Sequence, residues 1–108
     1  MAEFLVVLVT APDAETADRI AQVLLEERLI ACANRIVGVR SQYWWEDALE
    51  EATEALLLLK TTRDRWERLL VRIGELHPYE VPEVLALPVA FGSAAYLDWV
   101  RSETRAQD

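Results

Sequence analysis

The chain has 108 residues, 53% of them hydrophobic, a single cysteine and a formal net charge of −8. This length and composition fit one domain over residues 1–108 with a core of its own. An acidic balance without a basic tail excludes a nucleic-acid binder, whose affinity rests on lysine and arginine against phosphate, and a lone thiol, Cys32, excludes an internal disulfide or a four-cysteine metal site within one chain.

The first apolar run, EFLVVLVT (residues 3–10), is continuous, as in a strand buried on both faces. It is too short to span a bilayer and no basic region precedes it, so a cytoplasmic protein with no membrane attachment is expected. Ala11-Pro12-Asp13 reads as a turn with Asp13 as helix cap. Ala17, Ile20, Ala21, Leu24 and Leu25 then recur at three and four, one face of a helix reaching about Arg28. Residues 31–45 are rich in β-branched and aromatic side chains without proline and predict a long strand. Residues 46–49 make a hairpin turn. Residues 50–62 have the propensity of a helix, but the run Leu56–Leu59 is apolar on all sides and Thr61-Thr62 closes it, so a returning central strand is the better reading.

Trp66, Leu69, Leu70, Ile73 and Leu76 mark a second amphipathic helix, which His77-Pro78 ends because the residue before proline avoids helical angles. Val84–Phe91 reads as a strand, and Pro88 within it points to a sheet edge. Gly92-Ser93 caps a last helix whose apolar stripe is Tyr96, Trp99 and Val100. The order βαββαβ plus a terminal helix predicts an α+β, ferredoxin-like antiparallel sheet. Both crossover helices then lie on one face, the first and third strands are central, and the second and fourth are edges. The hairpin of strands two and three is longer than the other strands and must project, with Tyr43, Trp44 and Trp45 on it. A bare hairpin is marginal in water, so this arm needs a partner, and a second copy of the chain is the simplest one.

Five stretches occur in order with specific spacing: ERLIACAN (Glu27–Asn34), YWWE (Tyr43–Glu46), LKTT (Leu59–Thr62), LHPYEVPE (Leu76–Glu83) and YLDW (Tyr96–Trp99). In these the chain resembles the CutA-type divalent-cation tolerance proteins over nearly its whole length. The resemblance implies a fold similar to that of the PII signalling proteins and a compact homotrimer built through the long hairpins, with Tyr43, Trp44, Trp45 and Glu46 buried between subunits. It also implies copper or another divalent metal as a weakly bound ligand. That family usually has glycine and then lysine after the tryptophan–glutamate pair; this chain has Asp47 and Ala48. Aspartate enters the left-handed region a tight turn demands, so the hairpin is expected to survive.

Cys32 and His77 are the two soft or borderline side chains, suited to copper or zinc. Glu83, from the same corner as His77, is the expected oxygen ligand, with Glu46, Glu51 and Glu54 as further candidates. The plain alternatives are a small buried hydrophobe for Cys32 and a helix-ending imidazole bonded to a backbone carbonyl for His77. The expected cleft, at the mouth between two subunits, collects His77, Glu83, Lys60, Thr61, Tyr79 and Glu46, with Tyr43 or Trp45 arriving from a neighbouring arm. No P-loop, dinucleotide fingerprint, zinc-protease helix or nucleophile elbow is present, so neither an enzyme nor an organic cofactor is expected. Two functional readings follow: metal tolerance through metal binding, and a PII-like signalling module holding a small anion between subunits.

Overall fold

The computed structural model describes residues 2–105. The elements are β1 (Phe4–Ala11), α1 (Ala14–Glu26), β2 (Cys32–Trp45), β3 (Ala48–Thr62), a 3-10 turn (Arg63–Arg65), α2 (Trp66–Leu76), β4 (Val84–Pro88) and α3 (Ala94–Glu103). The sheet order is β2-β3-β1-β4, with every pairing antiparallel. This is the α+β split sheet expected from the sequence, with β1 and β3 in the centre and β2 and β4 at the edges.

Side chains alternate across the strands, so odd and even positions face opposite ways. Val7, Val9, Ala55, Leu57 and Leu59 point one way and are buried against Ile20 and Leu24 of α1 and Leu69 and Ile73 of α2. The buried faces of both helices recur at three and four, as their sequences require. Asp13 caps α1 by accepting from the Thr16 N–H at 2.7 Å, and this bond holds its carboxyl below the usual range. The helix stops before Arg28, which takes the left-handed φ of 60°. Leu29 N–H then bonds Leu24 O at 3.0 Å and Arg28 N–H bonds Leu25 O at 3.1 Å, a Schellman ending built without glycine.

The opposite face of the sheet is covered only in part. α3 crosses it at the end holding Phe4 and Thr62. Arg101 lies 5.0 Å above the Phe4 ring, and the Thr104 and Thr62 hydroxyls are 3.5 Å apart. Further along, Val6, Leu8, Leu56 and Leu58 are half-buried, and Leu85 and Leu87 on β4 are exposed.

The hairpin is the long element of a molecule 44 × 28 × 22 Å. β1 pairs with β3 only as far as Ala55, so among the described residues β3 from Ala48 to Glu54 pairs with β2 alone. A register shift between Ile36 and Val39 marks the base of this arm, where Gly38 takes φ 77°. The arm extends about 20 Å from there. Its turn is tighter than the four residues expected, because Trp45 pairs with Ala48 and only Glu46 and Asp47 lie between them. Both are left-handed, at φ 49° and 64°, as in a two-residue type I′ hairpin. Asp47 does take the conformation expected of it.

Two local expectations are corrected. β4 ends at Pro88, not Phe91, because its partner β1 begins at Phe4 and the ladder runs out; one last bond joins Val89 N–H to Phe4 O at 3.0 Å. In α3 only Val100 of the expected stripe is buried, whereas Tyr96 and Trp99 stay two-fifths exposed, with ring centroids 5.6 Å apart.

Candidate functional site

Pro78 forces His77 out of the helix, and His77 closes α2 with extended angles, φ −82° and ψ 135°. That geometry turns the imidazole inward, where it is 7% exposed. Nδ1 accepts from the Tyr79 N–H at 3.1 Å, so the ring proton sits on Nε2, which donates to Thr10 O at 2.7 Å. Both ring nitrogens are therefore engaged within the chain. The Tyr79 ring stacks at a tilt on the imidazole, centroids 4.8 Å apart, and its hydroxyl donates to Glu54 Oε2 at 2.9 Å.

Glu54 is the residue that connects this corner to the arm. It pairs with Val39 at the arm base, and it is 7% exposed with a single described hydrogen-bond partner. Beside it opens a cleft of about 730 Å³. It is lined by Thr10, by Arg40, Gln42, Tyr43 and Trp45 of the arm, and by Tyr79, Glu80, Val81 and Glu83 of the corner. Three carboxylates, Glu54, Glu80 and Glu83, line the cleft against one arginine. Arg40 is itself drawn to Glu51, Nη2 to Oε2 3.7 Å. The electrostatics of this space favour a cation.

Burial, and then the Glu54 carboxylate beside it, push the Tyr79 hydroxyl up to about 12. The unfolded chain loses this proton near the ordinary tyrosine value of about 10, so between about 10 and 12 the folded chain holds more protons. The contribution is whole below pH 10 and is lost as pH rises through 12. An ultraviolet titration should show one tyrosinate forming near pH 12, and Tyr79→Phe should remove it. A Tyr79 signal appearing near pH 10 would mean that the bond to Glu54 does not form in solution.

Of the residues singled out in the sequence, Tyr79, Glu83, Tyr43 and Trp45 meet in this cleft. Tyr43 and Trp45 of the chain's own arm line it. Alternation puts Tyr43 and Trp45 on one face of the arm and Trp44, 70% exposed, on the other. Glu46 sits at the exposed arm tip, outside the cleft. Lys60 and Thr61 are at the far end of β3, on the order of 20 Å from Glu54 along the strand. Thr61 is fully buried and donates to Leu29 O at 2.7 Å, and Lys60 Nζ bonds Asn34 Oδ1. Cys32 pairs with Lys60 at that same end, half-buried beside Asn34 and Tyr96. Cys32, His77 and Glu83 are thus not gathered within one chain. No group of three or more His, Cys, Asp or Glu is placed to hold a metal among the described residues.

Glu54 and Arg40 are the site residues that periodicity did not single out. Glu54 and Glu51 are the two acidic candidates within residues 50–62, where helical propensity competes with the strand. Once that segment is a strand, an acidic residue bordering a buried apolar run is a visible signal.

The model of one protein family, described as CutA1 divalent ion tolerance protein, matches residues 5–103. The divalent-cation tolerance protein CutA of Thermus thermophilus is 50% identical over 99 residues, covering 92% of this chain and 96% of the relative. The protein of the same name from Pyrococcus horikoshii is 46% identical over 101 residues, covering 94% and 98%. The solved structure of the Thermus thermophilus protein superposes with a TM-score of 0.92 at 48% identity, covering 94% of this chain and 99% of that one. Rice and Arabidopsis relatives bear names that place them in the chloroplast. No described helix of this chain is long and apolar enough to cross a membrane.

Proposed function

The chain belongs to the CutA1 divalent ion tolerance family, and from that premise we propose that it acts in divalent-cation tolerance by binding metal ions as a homotrimer. The observation that carries the proposal is the cleft between arm and corner, where three carboxylates, one of them nine-tenths buried, face a single arginine already drawn elsewhere. A buried carboxylate with one hydrogen bond retains lone pairs for a cation. Glu54 and Glu83 are the proposed oxygen ligands, and a neighbouring copy completes the coordination that one chain leaves short. His77 acts through position: it fixes Tyr79, and Tyr79 fixes Glu54. Cys32 lies too far along the sheet to join these groups within one chain.

The homotrimer is supported by the uncovered part of the sheet and by the arm. Leu85 and Leu87 on β4 and Ile36 and Val37 on β2 are each about half exposed, and the half-buried Val6, Leu8, Leu56 and Leu58 lie between them. A contiguous apolar surface of this kind marks a contact face. A PII-like site for an anion finds less support in the cleft, since Lys60 and Thr61, the residues that favoured it, lie at the other end of β3. The proposal assigns the chain no catalytic step and no organic cofactor. It places the chain in the cytoplasm, where a lone half-buried thiol stays reduced.

Calorimetric titration with copper(II) and with zinc tests the site. Glu54→Gln and Glu83→Gln should each weaken binding at least about tenfold, because each removes a charged ligand, and Cys32→Ser should leave it unchanged. Undiminished affinity in the two glutamine variants would move binding out of the cleft.

A further inference from the structure

A second concentration of charge lies at the opposite end of the sheet. A cavity of about 760 Å³ between the start of β1, the 3-10 turn and the end of α3 is lined by Glu3, Asp64 and four arginines, Arg63, Arg65, Arg101 and Arg105. Four guanidiniums against two carboxylates leave an excess of two positive charges, in a chain whose net charge is −8. The arginines are not equivalent. Arg101 is neutralised: its Nε and Nη2 each lie 3.0 Å from a Glu3 oxygen, and Nη1 lies 2.9 Å from Asp98. Glu3 and Asp98 raise its affinity for the proton, and Arg101 lowers that of Glu3. Asp64 is engaged by the Thr62 hydroxyl.

Arg65 differs. It is 9% exposed, and its Nε donates to Thr104 O at 2.7 Å. That bond uses one of five N–H donors. No described carboxylate lies within ion-pair reach of it; the described pairs engage Arg28, Arg35, Arg40, Arg72 and Arg101. No sealed side-chain nitrogen lacks a hydrogen bond among the described residues, so the remaining donors of Arg65 open on the cavity. The carbonyl end of α3 offsets about half a charge. A guanidinium withdrawn from water to this degree is normally matched by an anion. Arg63 and Arg105 line the same cavity, exposed and also without a described carboxylate partner.

We propose that this cavity binds a phosphate-type dianion, held by Arg65 from the buried side and by Arg63 and Arg105 from the open side. Guanidinium forks match tetrahedral oxyanions in geometry, three guanidiniums without a described carboxylate partner suit a doubly charged one, and the volume accommodates a small phosphate ester as well as free phosphate. The site is independent of the cation cleft.

The test is calorimetric titration of the full-length assembly with inorganic phosphate, against chloride at matched ionic strength, repeated with glycerol phosphate. Saturable phosphate binding is expected, and tighter binding of the ester would identify a phosphorylated small molecule as the ligand. Arg65→Gln should weaken binding by at least about tenfold. The double variant Arg63→Gln/Arg105→Gln should do the same without touching a buried group, so misfolding cannot account for the loss. Arg68→Gln, on α2 outside the cavity, should leave affinity unchanged. Absence of saturable binding, or undiminished binding in the double variant, would overturn the proposal.

Discussion

Replacing Trp44 and Trp45 together by alanine should turn a stable assembly into one that dissociates on dilution. In the single chain Trp44 is 70% exposed, Trp45 43% and Tyr43 42%, all on an arm whose two strands, among the described residues, pair only with each other. Tryptophans at the centre of a contact commonly account for about 2–4 kcal/mol each when truncated. The two are adjacent, so their effects will couple and need not add. Even one at the lower figure shifts a dissociation constant about thirtyfold. Light scattering coupled to size exclusion over a dilution series reads this directly. Val71→Ala, at an exposed position on the outer face of α2, should leave the mass unchanged. A wild-type chain that runs as a monomer at micromolar concentration would end the trimer proposal, and an undisturbed mass in the double variant would remove the arm from the contact.

The sequence carried the topology because the chain's signals agree with one another. The apolar run of β1, the three-and-four spacing of both helices and Asp13 at a cap position each admit one reading, and the sheet order follows from them. β3 shows the limit. Its glutamates, alanines and leucines have helical propensity, and only the all-round apolar character of Leu56–Leu59 showed that pairing on both edges would decide the outcome. The site was less legible, for a geometric reason. Lys60 and Thr61 stand close in sequence to Glu54, yet a strand carries them on the order of 20 Å away from it. Cys32 is removed from the cleft in the same way. Conversely, His77 and Glu54 are far apart in sequence and become neighbours only through Tyr79, whose backbone N–H and hydroxyl reach both. Nothing in the local sequence announces a side chain that serves as a connector.

His77→Ala should destabilise the fold by about 2–5 kcal/mol, because it leaves Thr10 O and the Tyr79 N–H without partners in a buried place. Urea unfolding measures the loss. The same variant should also weaken metal binding, which alone does not separate a ligand from a residue that acts by position. Two further substitutions do. Asparagine places an amide oxygen near the position of Nδ1 and can accept from Tyr79, and glutamine places an amide N–H near the position of Nε2 and can donate to Thr10. Each should recover part of the stability. Neither replaces imidazole as a ligand for copper or zinc, since a neutral amide suits those metals poorly. If His77 works by holding Tyr79 against Glu54, affinity should return with stability, and more fully in His77→Asn, which restores the bond to Tyr79. Recovery of stability with no recovery of affinity would make the imidazole itself a ligand, and would require its bond to Thr10 or to Tyr79 to be given up when the metal binds.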